Sequence, residues 1–411
     1  MSKIKILAIP PDAYAVGKFR ITNPYIHLQE NYSEDFHIDL KNSVPDNDDE
    51  FKNYDIIILH SFIHDNVPFE RNLERIEWLK KQGKIVIVDI DDFWEPDFRH
   101  PMHLQIKMSG TPKRKVDLLK AASYVTTTTT VYRDTIKQRL NLKNIFVFPN
   151  AIDETELQFI PKPVKSDKIR FGWLGGSSHL YDIELLRSGI ESTHSYSPDK
   201  TQFLLCGFDI RGFVTEIDSK TNQQRRREIK PEETVWFQYE KIFTENYKML
   251  DNDVAYIQHL MTFKETDYDD VDKPYRRRWT KDITKYATNY NNFDVSLAPL
   301  VDSVFNNNKS QLKAIEAGFH KKAFIASESN PYLIDLVTAV DNGKFIDKGN
   351  SLLVSQNKNH KQWGQHMKRL IDNPNMIEDL GNRLYETVKD KYSLNKVNKD
   401  RVEFLKSIIN N

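Results

Sequence analysis

Cysteine is almost absent: Cys206 stands alone among 411 residues. One thiol permits no internal disulfide, which fits a reducing compartment and leaves stability to the core. Net charge is missing too. With 59 basic against 59 acidic residues, no overall field draws the protein to nucleic acid or anionic lipid. A nucleic-acid acceptor stays open but gains no support from net charge. Long apolar runs are also lacking, and none nears the roughly 18 residues that span a bilayer. The N-terminal MSKIKILAIPP holds only about six apolar-leaning positions before two prolines, which describes a first strand rather than a signal peptide. The expectation is a cytoplasmic protein with no transmembrane segment. Absent motifs narrow the chemistry further. There is no G-x-S-x-G elbow, no Walker phosphate loop and no G-x-G-x-x-G fingerprint, so hydrolase, ATPase and dehydrogenase readings lose ground. His60, His64, His100 and His103 lack zinc-ligand spacing and a cysteine partner, so no structural zinc is expected.

What is present is a strand–helix rhythm long enough for two domains. Strands are expected at Lys3–Ile9, Tyr54–His60, Lys84–Asp89, Ser123–Thr130 and Asn144–Phe148. Between the second and third, Phe69, Leu73, Ile76 and Leu79 repeat at helical spacing, and Gly83 supplies a left-handed cap. A polar segment at 155–167 carries Pro161 and Pro163 and is the natural linker. The rhythm restarts at Lys168–Leu174, Thr201–Cys206, Asp294–Leu300 and Lys322–Ala326. Alternating strands and helices give an α/β fold with parallel sheets. Two such domains leave a cleft between the carboxyl ends of their strands. Residues 208–290 hold RRR twice and a helical aromatic line through Trp236, Tyr239, Phe243 and Tyr247. They are taken as an elaboration of the second domain, with the aromatics as core. Residues His360 to Asn411 suggest three helices.

Four clusters carry candidate chemistry. In the first, Lys309, Lys313 and Glu316 stand at i, i+4 and i+7, which places them on one helical face at the mouth of a strand–helix–strand unit. Two cations and a carboxylate there suit a ligand bearing phosphates and hydroxyls; a solvated charged face is the plainer alternative. In the second, Gly175-Gly176-Ser177-Ser178 follows a strand and precedes a helix, with His179 at the same mouth. This is either a phosphate cradle or an ordinary turn. In the third, Gly17 and Arg20 follow strand one: a close backbone approach and a bidentate anion partner, or a loop glycine and a surface arginine. In the fourth, Asp89, Asp91 and Asp92 end a buried strand. Such carboxylates are costly unless paired or functional. They suit a general base or acceptor-orienting group, a divalent-cation site of Asp-x-Asp type, or an N-cap cluster.

Taken together, the chain resembles a GT-B glycosyltransferase of the large family 4, also called group 1. The likeness is carried by Glu316-Ala317 and Phe324-Ile325-Ala326-Ser327, by Phe148-Pro149-Asn150-Ala151-Ile152-Asp153, and by Leu380-Gly381 with Tyr392-Ser393. It implies two Rossmann-like domains, over about 1–160 and 165–390. The last helix, 391–411, would cross back to the N-terminal domain. It also implies retention at the anomeric carbon without a metal or other cofactor. In that scheme Glu316 holds the ribose of a nucleotide diphosphate sugar, Lys309, Ser310 and Lys313 face its diphosphate, and Asp91 or Asp92 orients or deprotonates the acceptor hydroxyl of a glycan, lipid-linked or other acceptor. Departures are visible. Asn308 stands where the family has its first glutamate, so the usual donor-sugar contact is missing. Gly175 to His179 replace the common Lys-Gly. An epimerase or phosphorylase on the same scaffold, an inactive nucleotide-sugar binder, and a GT-A enzyme using Asp89-x-Asp91 are the competing readings.

Overall fold

A computed structural model describes residues 3–61, 68–217, 224–244, 254–262, 273–341, 343–356 and 361–409. His64, Tyr247, His360 and Asn411 lie outside these residues. Two six-stranded parallel sheets organise the chain, in the order β2-β1-β3-β4-β5-β6 and β11-β8-β7-β12-β13-β16. The first comprises β1 (Ile4–Ile9), β2 (Phe36–Leu40), β3 (Ile56–His60), β4 (Ile85–Ile90), β5 (Tyr124–Thr127) and β6 (Ile145–Val147). The second comprises β7 (Ile169–Leu174), β8 (Thr201–Phe208), β11 (Tyr275–Trp279), β12 (Val295–Ala298), β13 (Ala323–Ser327) and β16 (Leu352–Val354). Antiparallel ribbons β9 (Phe213–Ile217) with β10 (Gln224–Glu228), and β14 (Val340–Asp341) with β15 (Lys344–Phe345), stand apart from both.

Each order reverses direction once, at β1/β3 in one lobe and at β7/β12 in the other. Ligands of open parallel sheets bind at the carboxyl ends beside such a reversal. The central strands are buried on both faces, which explains their near-continuous apolar runs (Ile56 to Leu59; Phe203 to Cys206). The helix Phe69–Lys81 buries Ile76 and Leu79 against the first sheet, and Gly83 at φ 75° ends it.

Several expectations shift. The threonine strand stops at Thr127, because the hydroxyl of Thr129 accepts the backbone N–H of Tyr132 at 3.1 Å and caps the next helix. Strands β11 and β16 carry no clear period-2 signal, whereas β2, FHIDL, does alternate and was overlooked. In β11 the second RRR disguises a buried strand, where Arg277 pairs with Glu240 inside the lobe. The region 208–290 is therefore partly insertion and partly sheet edge. Trp236, Tyr239 and Phe243 do pack in the core. Of the linker, Gln158 and Phe159 are buried and Glu156 receives Lys18 and Asn23, so it is pinned rather than loose.

The last three helices are Lys361–Asp372, Asn375–Val388 and Leu394–Ile409. The final one returns to the first lobe, where Leu394, Phe404 and Leu405 share a core with Ile6, Ile58 and Ile87. Its Asn398 donates to the carbonyl of Pro24 at 2.9 Å. Among the described residues no helix is long and apolar enough to cross a membrane.

Candidate functional site between the lobes

A cavity of about 490 Å³ lies between the lobes, at the carboxyl ends of the strands. Tyr14, Ala15 and Asp92 line it from the first lobe; Gly175, Gly176, His179, Lys309, Ser310, Lys313 and Glu316 line it from the second. Lys309 does not sit on the helix of Lys313. The chain turns at 308–311, and the helix runs Leu312–Phe319. The three charged residues still converge, because the turn folds Lys309 back over the ring of Phe305 at 5.1 Å.

Lys313 is the half-buried cation of this wall. Its ammonium lies 5.2 Å from the Trp173 ring centroid and donates to the carbonyl of Leu174. Burial lowers its pKa to about 8; Glu316 opposes the shift and Lys309 adds to it. Glu316 accepts from the hydroxyls of Tyr286 and Tyr290, the latter at 3.0 Å. Burial pushes its carboxyl up despite those bonds. Each carboxylate oxygen retains capacity for a further donor.

The glycines serve close packing as well as ligand access. A Cβ on Gly175 would lie 2.5 Å from the Trp173 ring and 2.9 Å from Nζ of Lys313. Gly176 faces open space. The backbone N–H of His179 donates to the Tyr239 hydroxyl at 2.7 Å, so it is turned away from any anion. The following helix, Leu180–Glu184, is a single short turn. Ser177 is exposed and lies outside the cavity lining. Sequence reasoning missed Gly207, at φ 97°, where a Cβ would meet the carbonyl of Gly175 at 2.5 Å. A glycine inside the apolar run of β8 is the signal that marks such an approach. Tyr286, Tyr290 and Asp182 were missed as well, since nothing in their spacing ties them to Glu316 or His179.

In the first lobe the candidates divide. Asp92 lines the cavity; burial and the charge of Asp91 push its carboxyl up, while Lys309 pulls it down. Asp91 pairs with His60 at 3.1 Å. Burial works against its charge, but the bond and charge of His60 hold it below its ordinary value. Arg20 does meet a carboxylate bidentately, and that carboxylate is Asp89, at 2.9 and 2.7 Å. Arg20 also donates to the carbonyl of Phe148 and to Asn150, so it sits in the interior rather than in the cleft. With Arg20 and Thr126 on Asp89 and His60 on Asp91, the Asp-x-Asp pair is engaged inside the lobe. Among the described residues no group of three or more His, Cys, Asp or Glu stands together as a metal site. Gly17 is buried; a Cβ there would lie 1.9 Å from the carbonyl of Asp12, so its close approach is to its own chain. Asn308 turns inward and donates to the carbonyl of Val304 at 2.7 Å, outside the lining. Ser310 accepts from Asn150 of the first lobe at 3.0 Å and so ties the lobes together beside the cavity.

This architecture has counterparts among solved structures. One is HepE of Anabaena in complex with UDP and glucose, with a TM-score of 0.59 and 10% identity over 98% of this chain and 100% of that one. Another is an alpha-glucosyltransferase in complex with UDP and a 13-mer DNA containing an HMU base, with a TM-score of 0.57 and 11% identity over 100% of both chains. A third is a putative UDP-N-acetylglucosamine 2-epimerase from Listeria monocytogenes, with a TM-score of 0.53 and 10% identity over 100% and 97%. The fold is GT-B. No family model and no curated protein sequence matches the chain. At this identity the GT-B likeness is one of architecture, and membership of family 4 remains a resemblance of motifs.

Proposed function

We propose that this protein is a glycosyltransferase that moves a sugar from a nucleoside diphosphate sugar to a hydroxyl of an acceptor. The observation that carries the reading is the convergence of Lys309, Lys313 and Glu316 with Asp92 of the opposite lobe in one cavity. The two ammonium groups stabilise the diphosphate as it leaves with the electron pair of its bond to the anomeric carbon. Glu316, held by two tyrosines, accepts hydrogen bonds from the ribose hydroxyls. Asp92, a carboxyl raised by burial and lying across the gap, orients the incoming hydroxyl or accepts its proton. Among structures of like fold, HepE has been seen with UDP-glucose and the alpha-glucosyltransferase with DNA. That range supports a sugar nucleotide as donor, with the acceptor hydroxyl on a glycan, a lipid-linked sugar or a nucleic acid. We read the reaction as retaining, by likeness to family 4, and as independent of a metal, since the lysines already supply positive charge at the leaving group.

The test is release of nucleoside diphosphate from a panel of nucleotide sugars, with and without acceptors, in excess chelator. Release that needs Lys313 and rises with acceptor supports a transferase. Conversion of the sugar with no acceptor identifies an epimerase. Absence of both turnover and thermal stabilisation by any nucleotide sugar overturns the reading.

A further inference from the structure

The protein dictates which nitrogen of His179 carries a proton. Nδ1 lies 2.7 Å from Oδ2 of Asp182. The other oxygen of Asp182 accepts the backbone N–H of Val301 at 2.7 Å and the amide of Asn306 at 3.0 Å. Burial works against the charge of Asp182, but the hydrogen bond from His179, with the charge of Lys309 and the backbone N–H of Val301, keeps it below its ordinary carboxylate value. An ionised carboxylate only accepts, so the shared proton belongs to Nδ1 and the neutral ring keeps a lone pair at Nε2. Burial, then the charge of Lys309, pushes the imidazole down to about 4, with Lys313 adding to the shift. The ring is therefore neutral at physiological pH, and no hydrogen bond to Nε2 forms among the described residues.

Position decides what that lone pair meets. His179 belongs to the same lobe as both lysines, lines the same cavity and feels both charges. A diphosphate gripped by Lys309 and Lys313 carries its sugar one ester bond further on. Lysines donate and cannot accept, whereas a sugar hydroxyl has a proton to give. We propose that Nε2 of His179, fixed as an acceptor by Asp182, takes a hydrogen bond from one hydroxyl of the donor sugar and so selects sugars that bear it. The inference rests on the reading of the cavity as a nucleoside diphosphate sugar site, and it makes His179 a specificity-determining residue with Asp182 as its positioning residue.

Asp182→Asn tests the tautomer, and His179→Ala tests the contact. The amide oxygen keeps Val301 and Asn306, while the NH₂ turns to Nδ1 and moves the ring proton to Nε2, exchanging an acceptor for a donor. A sugar hydroxyl can turn and accept from Nε2–H, so the expected result is a rise of about three- to fivefold in KM for the nucleotide sugar, with Kd for the bare nucleoside diphosphate changed less than about twofold. Imidazole ¹⁵N shifts should show the proton leaving Nδ1. His179→Ala, checked for an unchanged thermal midpoint, should lose the discrimination that the parent shows against one deoxyfluoro analogue of the sugar. Equal discrimination in parent and His179→Ala overturns the proposal. So does a matching loss of affinity for the bare diphosphate, or a shift confined to the KM of the acceptor. If the parent binds no nucleoside diphosphate at all, the reading of the cavity fails and this inference with it.

Discussion

In the first lobe Asp89 is matched by Arg20 and Asp91 by His60. In the second, Lys309 and Lys313 face a cavity and form no ion pair among the described residues. Both lobes carry charge at the carboxyl ends of their central strands, yet the first holds Asp89 and Asp91 on internal partners and leaves Asp92 to the cavity, whereas the second leaves both lysines to whatever enters. Matched charge of the first kind holds a fold together. Unmatched charge that is partly withdrawn from water costs stability unless a ligand meets it.

Breaking the match should have the largest effect. Arg20→Ala strands Asp89 in an interior where Arg20 is 3% exposed and Asp89 is 3% exposed. A loss of about 3–5 kcal/mol is expected from urea unfolding, and Arg20→Met with Asp89→Leu should recover most of it. A loss below 1 kcal/mol would remove the contrast between the lobes.

Lys313→Met should do the reverse. It should slow release of the nucleoside diphosphate by about 100-fold in kcat/KM while leaving the protein more stable at pH 7. The sign follows from linkage. The folded pKa is lowered to about 8 from 10.5, so the folded state binds the proton more weakly, and parent stability rises as pH climbs from about 8 to 10.5. The gain in the variant should fade over that window, and parent affinity for the diphosphate should fall above about pH 8. Affinity flat from pH 7 to 10 would detach Lys313 from the ligand.

Glu316→Gln should give the smallest change. The Glu316 carboxyl is raised above 4.5, so the folded state holds its proton more tightly and parent stability falls as pH rises through 4.5 and beyond. The glutamine variant should be slightly more stable at neutral pH and lose that gain below about pH 4.5 in thermal unfolding. Its affinity for a nucleoside diphosphate should drop by about tenfold by calorimetry. A variant with unchanged affinity would place the ribose elsewhere.

The architecture was largely legible because buried parallel strands write themselves as apolar runs, and β1, β3, β4, β7, β8, β12 and β13 all do so. β11 was hidden because its arginines are paired inside the lobe, a tertiary fact with no local trace. Lys309, Lys313 and Glu316 came together as expected, though by a turn rather than a shared helix face. Arg20 and Asp91 illustrate the opposite case: their type and position suited a ligand, and only their partners, Asp89 and His60, show them occupied. Spacing reveals which residues share a wall; it does not reveal which have already found a companion.

The chain passes between the lobes twice, once after Ile152 and once before Leu394, and the passages run side by side. The backbone N–H of Ile152 donates to the carbonyl of Tyr392 at 2.9 Å, and that of Leu394 donates to the carbonyl of Ile152 at 2.7 Å. Two parallel tethers stitched at one point act like the spine of a book. Such a pair would favour opening and shutting about a single axis over twisting, so any closure would return the first lobe to the same register over the second. The sixteen-residue helix Leu394–Ile409 anchors one end of that spine.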